Sequence, residues 1–155
     1  MSEVESIITI SSVPGVIEKD EILIRIFYHP DHIDELGNIK ASAIPSDDLK
    51  SRGVSVDRKS YVEKRYIETN IQNSVARKEE RNLAGFGLIS HETVLGILDV
   101  KNSTALHVKS DPISNNQAHA IILAKNNYLR SELKKLRKDL VDKFKSVKSI
   151  EEALS

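Results

Sequence analysis

The chain contains neither cysteine nor tryptophan, and aromatic residues make up only 5% of its 155 residues. Without cysteine it can form no disulfide framework, no thiolate zinc site and no cysteine nucleophile. Charge of one sign is not in excess either, because 23 basic side chains balance 23 acidic ones. Net charge therefore argues neither for nor against a nucleic-acid partner.

Long apolar runs are also missing, since no stretch approaches the roughly 20 residues that a membrane-spanning helix needs. Residues 1–6 are acidic, whereas a signal peptide begins with basic residues. We therefore expect a cytoplasmic protein without membrane insertion. A length of 155 residues predicts a single domain over residues 1–155, because one core commonly serves about 100–200 residues.

Alternation of apolar and polar residues predicts several short strands. The clearest is 21–28, in which three isoleucines form the expected core face and Arg25 lies on the other face. His29-Pro30 ends this strand, because proline cannot continue a hydrogen-bonded ladder. Further β-like segments cover residues 7–11, 39–44, 53–57, 93–100 and 105–108.

Helix signals occur in the middle of the chain and near its end. Ser60 and Glu63 have the spacing of a capping box, and the helical period that follows extends to about Arg81. Ser114 and Gln117 form a second candidate capping box. Residues 118–124 fit either a buried strand or the first turns of a helix, and residues 85–87 are expected to be a flexible connection.

A basic amphipathic helix is predicted at about residues 127–148. Leucines and Phe144 recur at steps of three and four and form one apolar stripe, while lysines and arginines cover the rest. Together these elements predict an α+β fold with a small mixed or antiparallel sheet, a central helix and this long amphipathic C-terminal helix. The basic face is either an ordinary solvated surface or a binding surface for phosphates, acidic lipid or an acidic partner. The candidate binding residues are Lys134, Lys135, Arg137 and Lys138.

Candidate catalytic residues lie in the predicted strand 21–28, directly after it, and near the start of the apolar segment 118–124. Arg25 would bind an anion, and His29 or His119 would move a proton. His29 with Asp31 and His32 also has the residue types of a metal corner, but this spacing is common in polar loops, so no metal or cofactor is predicted.

Alternatives apply to two further groups. His119, beside Asn116, is alternatively a hydrogen-bonded core histidine. Ser55 and Asp57 are not in a nucleophile elbow, and Asp57 is expected to cap the following helix.

Four short motifs together resemble a widespread group of small bacterial proteins of unassigned function. They are the strand with Arg25 that runs into His29-Pro30, Gly37 followed by Ser42-Ala43-Ile44, Val54-Ser55-Val56-Asp57-Arg58, and Asp111-Pro112-Ile113 followed by Asn116-Gln117-Ala118-His119-Ala120. In that group the pattern is HP, G, SAF, LSV and NPAHA. This sequence departs from it at Ile44, Val54 and Gln117. The resemblance implies that these positions belong to one structural unit, and it brings no activity with it.

Three hypotheses of function follow. The first is a small non-enzymatic interaction or accessory subunit with a protein partner, and the resemblance alone suggests a bacterial conflict or defence system. The second is a hydrolase or transferase acting on a phosphate-bearing substrate through Arg25, His29 and His119. The third is a nucleic-acid-binding protein that uses the basic C-terminal helix. Convergence of Arg25 and the histidines in one cleft would favour the second over the first.

Overall fold

The structure is a computed structural model, and it describes residues 13–144 and 147–155. The strand predicted at residues 7–11 lies outside the described residues. Within them, no helix is long and apolar enough to cross a membrane.

Five antiparallel strands form one sheet in the order β3-β1-β2-β5-β4. The prediction of an α+β fold is confirmed, and the sheet is antiparallel throughout. Residues 118–124, which the sequence left undecided between strand and helix, supply strand β5. The strands are β1 (Ile22–His29), β2 (Val54–Arg58), β3 (Asn82–Ser90), β4 (Leu106–Ser110) and β5 (His119–Ala124).

In residues 13–144 and 147–155 four α-helices accompany the sheet, and the predicted C-terminal amphipathic helix is confirmed as the longest of these. A 3₁₀ turn at Ala41–Ala43 and a π-helical turn at Asp48–Arg52 lie between β1 and β2. The α-helices are α1 (Lys64–Ala76), α2 (His91–Leu95), α3 (Arg130–Phe144) and α4 (Ile150–Leu154).

Apolar side chains pack on both faces of the sheet. The larger cluster includes Leu23 and Phe27 of β1 with Leu136, Leu140 and Phe144 of α3. A smaller cluster on the other face joins Ile24 of β1 to Ile67 of α1 and to Ala153 of α4. The isoleucine face of β1 therefore packs in the smaller cluster, the minor core. The face that also carries Arg25 packs in the larger cluster, the major core.

Two glycine positions were predicted to be a connection but lie inside strand β3. A Cβ atom at Gly87 would collide with the rings of Phe27 and Phe144, which pack edge to face with centroids 5.5 Å apart. Gly85 has φ 149°, and Phe86 next to it exchanges backbone hydrogen bonds with Lys148 at 2.8 Å. The glycines are required by close packing against the C-terminal part of the chain, so they do not indicate a flexible segment.

Helix predictions also need correction. Residues 93–100 were predicted to be a strand, but Ser90 accepts a hydrogen bond from the Thr93 amide at 3.0 Å and starts α2, so the cap outweighs β propensity. The predicted capping box at Ser60 and Glu63 does not form, because Glu63 is itself the N-cap of α1 without a side-chain bond. That helix ends at Ala76, before the charged residues that were included in it.

Three smaller corrections concern loops and the end of the chain. Residues 39–44 form the 3₁₀ turn and one isolated bridge, Ile33 with Ile39, in place of a strand. Asn116 and Ile113 bond to each other through their backbones, so the capping box predicted at Ser114 opens no helix. A capping box does form at Ser149 and Glu152, where it starts the unpredicted helix α4.

The sheet is incomplete between β1 and β2. These strands are paired only at Leu23 with Arg58 and at Ile24 with Asp57, whereas β1 continues to His29 and β2 begins at Val54. Beyond the two pairs the strands separate. The resulting gap in the middle of the sheet positions the site described next.

Candidate functional site

A cleft of about 380 Å³, lined by both polar and apolar side chains, lies at the gap between β1 and β2. Side chains of β1, β2, β5 and α1 line it together with one residue of the loop after β1 and one of the loop before β5. The lining residues that carry polar groups are Arg25, Tyr28, His32, Ser55, Asp57, Tyr66, Asn70, Ser74 and His119. Volumes from about 300 Å³ upward are typical of small-molecule sites.

Arg25 crosses the gap and holds its two sides together. Its Nη1 donates to the Ser55 carbonyl at 2.7 Å, and its Nε and Nη2 donate to the Ala43 carbonyl at 3.2 and 2.8 Å. These bonds use three of five N–H groups, so two remain for a ligand. Within residues 13–144 and 147–155, no carboxylate lies within 4.0 Å of this guanidinium. Burial lowers the pKa of Arg25 to about 10, which leaves it charged at neutral pH.

His32 also faces this cleft and is neutral at pH 7. Its Nδ1 accepts a hydrogen bond from the Tyr28 amide at 3.0 Å, so in the neutral ring the proton is on Nε2. Burial, with a further contribution from the positive charge of Arg25, lowers the pKa of His32 to about 4. The ring therefore offers an uncharged N–H donor beside the guanidinium.

His119 begins β5 and is oriented by Asp111. Its Nδ1 lies 2.8 Å from the Asp111 carbonyl oxygen and 3.1 Å from its carboxylate Oδ2. Both partners are acceptors, so Nδ1 carries a proton and Nε2 of the neutral ring has a free lone pair. The side chain is 14% exposed and lines the cleft. An imidazole held in one tautomer by a carboxylate has the arrangement of a general base.

Asp57 is the cross-strand partner of His119 and is buried. Its Oδ1 accepts a hydrogen bond from Nδ2 of Asn116 at 2.6 Å, and Oδ1 of Asn116 accepts from the Ala118 amide. Burial raises the pKa of Asp57, although the bond from Asn116 and the nearby His119 oppose this effect. Asp57 was expected to cap α1, but it instead forms part of the cleft.

Helix α1 closes one side of the cleft with a polar stripe. Tyr66, Asn70 and Ser74 recur at steps of four and line the cleft, whereas Ile67 and Ile71 on the neighbouring face pack in the minor core. The helix was predicted from the apolar period to which Ile67 and Ile71 belong. The parallel polar stripe was visible at the same spacing and is the signal that would have placed α1 beside a polar site.

The structure brings two of the three candidate catalytic residues together. Arg25 and His119 line the same cleft, with Ser55 between their strands, whereas His29 is exposed at the end of β1 and does not line it. His32 takes the place expected for His29. Asp31 bonds to Lys78 at 2.5 Å and to Arg81 at 3.0 Å, which ties its loop to the chain after α1. Among the described residues, no group of three His, Asp or Glu side chains is placed to hold a metal ion.

The candidate binding residues of α3 divide between two surroundings. Lys134 and Arg137 line a groove of about 720 Å³ between α3 and the turns before β2, together with Lys50 and Arg130. Lys135 instead pairs with Asp139 at 2.8 Å, and Lys138 does not line the groove. Asp47 is the one acidic residue among the groove's lining residues.

Three of the motifs behind the resemblance meet at the cleft. The Ala43 carbonyl binds Arg25, Ser55 and His119 line the cleft, and Asn116 holds Asp57. No protein-family model matches the chain, and neither a curated protein nor a solved structure matches it.

Proposed function

We propose that this protein is a hydrolase or transferase that acts on a small phosphate-bearing substrate in the cleft between β1 and β2. The observation that carries the proposal is the presence of Arg25, which has no carboxylate partner among the described residues, in the same cleft as His119 with its free Nε2. This convergence favours an enzyme over the accessory-subunit hypothesis.

The phosphate is expected at Arg25 and His32. A guanidinium that is fixed by backbone carbonyls needs little reorganisation to bind an anion, and its two remaining N–H groups match phosphate oxygens. The Nε2 proton of His32 adds a neutral donor. Among the described residues no carboxylate forms an ion pair with Arg25, and the charge of Asp48 acts on it only from beyond 4.0 Å. The guanidinium therefore suits a substrate that brings its own negative charge.

His119 is the expected general base. In hydrolysis its Nε2 takes a proton from water, the water oxygen bonds to phosphorus, and the ester P–O bond breaks, so the alcohol leaves and takes up a proton from solvent. In transfer, a hydroxyl of a second substrate replaces the water. Asp111 keeps the ring in the required tautomer and stabilises the imidazolium that forms.

The test separates binding from turnover with two variants. His119→Asn keeps a donor near the Nδ1 position for Asp111 but removes Nε2. We expect it to lower phosphate release from a panel of phosphate esters by about 10²–10⁴-fold, with inorganic phosphate binding by calorimetry nearly unchanged. Arg25→Gln is expected to weaken inorganic phosphate binding by about tenfold or more, because charge-assisted hydrogen bonds are lost.

His107→Asn is the matched control, since this histidine of β4 does not line the cleft. It should leave both phosphate binding and turnover unchanged. Phosphate binding that is equal in wild type and Arg25→Gln would contradict the anion site. Turnover by His119→Asn at the wild-type rate would exclude this histidine as the base.

A second candidate function is nucleic-acid binding at the groove beside α3. Lys50, Arg130, Lys134 and Arg137 line this groove, and none of them is within 4.0 Å of a carboxylate in the described part of the chain. Four phosphate contacts on a duplex predict that the logarithm of the association constant falls with the logarithm of salt concentration with a slope of about −3 to −4. The triple variant Lys50, Arg130 and Lys134 to Gln should flatten that slope.

A matched control for the groove is Lys135→Gln with Lys138→Gln, because these two lysines lie on the same helix outside the groove. An equal loss of nucleic-acid affinity in both variants would indicate a diffuse effect of positive charge. If the wild type binds no nucleic acid, this function is refuted. A protein partner, including one in a bacterial conflict or defence system, stays a prediction.

A further inference from the structure

Two groups of opposite charge line the cleft without neutralising each other. Arg25 binds the backbone carbonyls of Ala43 and Ser55, and Asp57 binds the Asn116 amide, and these two charged side chains form no ion pair. In a partly buried site such charges attract each other strongly when they are in contact. Their separate hydrogen-bond partners keep one cationic and one anionic position available in a single cleft.

Asp57 has one oxygen committed and one available. Oδ1 accepts from Asn116 at 2.6 Å, whereas Oδ2 has no hydrogen-bond partner among the described residues. Every fully buried side-chain polar atom of those residues has a partner, so Oδ2 retains some solvent contact. Because Asp57 is only 7% exposed and lines the cleft, we take that contact to be through the cleft.

The surroundings of this carboxylate favour a hydrogen-bond donor. Tyr66 from α1 lies on the same side of the cleft, where burial, and then the charge of Asp57, raises the pKa of its phenol. Ile113 adds an apolar wall. A ligand group that donates to Asp57 would replace the water that burial has largely removed from this carboxylate.

We propose that Asp57, held in place by Asn116, forms a second subsite, which binds hydroxyl or amino groups at the end of the substrate away from its phosphate. The proposal rests on the proposed function, and it names the substrate class. The substrate is a phosphate monoester of a small molecule rich in hydrogen-bond donors, of the size of a sugar phosphate or a mononucleotide. A cleft of about 380 Å³ is at the small end of the range for such sites.

The test compares two sets of phosphate monoesters. One set carries hydroxyl or amino groups, namely hexose 6-phosphates and nucleoside 5′-monophosphates, and the other is apolar, namely benzyl and naphthyl phosphate. We expect the wild type to bind at least one member of the first set about tenfold or more tightly than both apolar esters. Asp57→Asn should remove this preference, and an asparagine oxygen can still accept from Asn116. Because the variant takes a negative charge out of the cleft, it should not weaken inorganic phosphate binding.

The outcomes separate the two proposals. If inorganic phosphate binding does not depend on Arg25, the proposed function fails. If it does depend on Arg25 but the wild type shows no preference between the sets, or Asp57→Asn keeps the preference, only the second subsite is wrong. Should Asp57→Asn fail to fold, Tyr66→Phe changes the same end of the cleft from the helix side. Tyr66→Phe must then reduce the preference for esters that carry hydroxyl or amino groups. An unchanged preference would overturn the proposed subsite.

Discussion

Arg58 gives the sharpest test of how the fold is held together. Its side chain is 0% exposed and lies within 2.8 Å of Glu21, whose side chain is 10% exposed. The guanidinium also donates to the carbonyls of Pro14 and Val16, and Tyr61 lies under it with its ring centroid 4.8 Å away. This single side chain therefore fastens the segment before β1 to the end of β2.

Arg58→Met removes the positive charge and keeps most of the volume. It leaves Glu21 as a nearly buried carboxylate without its partner and deprives two backbone carbonyls of donors. Breaking one side of such a pair costs about 3–5 kcal/mol, a large part of the roughly 5–15 kcal/mol that stabilises a typical domain. Urea unfolding followed by circular dichroism at pH 7 measures this loss.

Low pH should reduce the difference in the free energy of unfolding between Arg58→Met and the wild type. Burial acts to raise the pKa of Glu21, but it is outweighed by the hydrogen bond and charge of Arg58, with smaller contributions from the Glu18 amide and His91, so the pKa is lowered. A carboxyl group whose pKa is lowered on folding contributes stability above its unfolded value of 4.5, and that contribution is lost as pH falls through the folded value. The free-energy gap between the two proteins is therefore expected to narrow below about pH 4.5.

Arg52→Met is the matched control, because Arg52 pairs with Asp48 at 2.9 Å but is 73% exposed. An exposed pair of this kind contributes about 0–1 kcal/mol. If Arg58→Met and Arg52→Met lower the free energy of unfolding equally, the anchoring role assigned to Arg58 is refuted.

Two further predictions concern the cleft and the packing of β3. The pKa of His32 is lowered to about 4, so the folded protein disfavours its charged form, and stability should fall as pH drops from about 6.5 towards 4. His32→Asn should make the stability profile flatter over that window, and an unchanged profile would contradict the assignment. Gly87→Ala places a methyl group in collision with the rings of Phe27 and Phe144, and we expect a loss of about 1–3 kcal/mol in the free energy of unfolding, measured in urea. Gly96→Ala, where the nearest atom is 3.4 Å away, should cost much less, and an equal loss in both variants would refute the packing argument.

Periodic signals that cover a whole element predicted the type of that element correctly. The alternation around Arg25 and the leucine stripe of α3 each cover a full element, so β1 and α3 were found with correct type. The short elements depended on single contacts that periodicity does not record. Ser90 decides helix α2 through one hydrogen bond, and the Phe27 and Phe144 rings explain Gly87.

The candidate site was predictable only in its residue types. Arg25 was selected because a guanidinium binds anions, and His119 because a histidine at the start of an apolar segment can transfer a proton. That Ser55 and Asp57 lie opposite Ile121 and His119 follows from the pairing of β2 with β5, which local patterns do not specify. His32 lines the cleft and His29 does not because of the turn after β1, in which the His32 amide donates to the Tyr28 carbonyl oxygen at 2.8 Å.

The gap between β1 and β2 divides the sheet into two units, β3-β1 and β2-β5-β4, which share two residue pairs. Past those pairs, an arginine side chain spans the distance that a peptide ladder covers elsewhere. A molecule seated there touches both units at once. The same few atoms would therefore bind the ligand and hold the two units of the sheet together. Ligand binding in the cleft should consequently make the sheet more rigid.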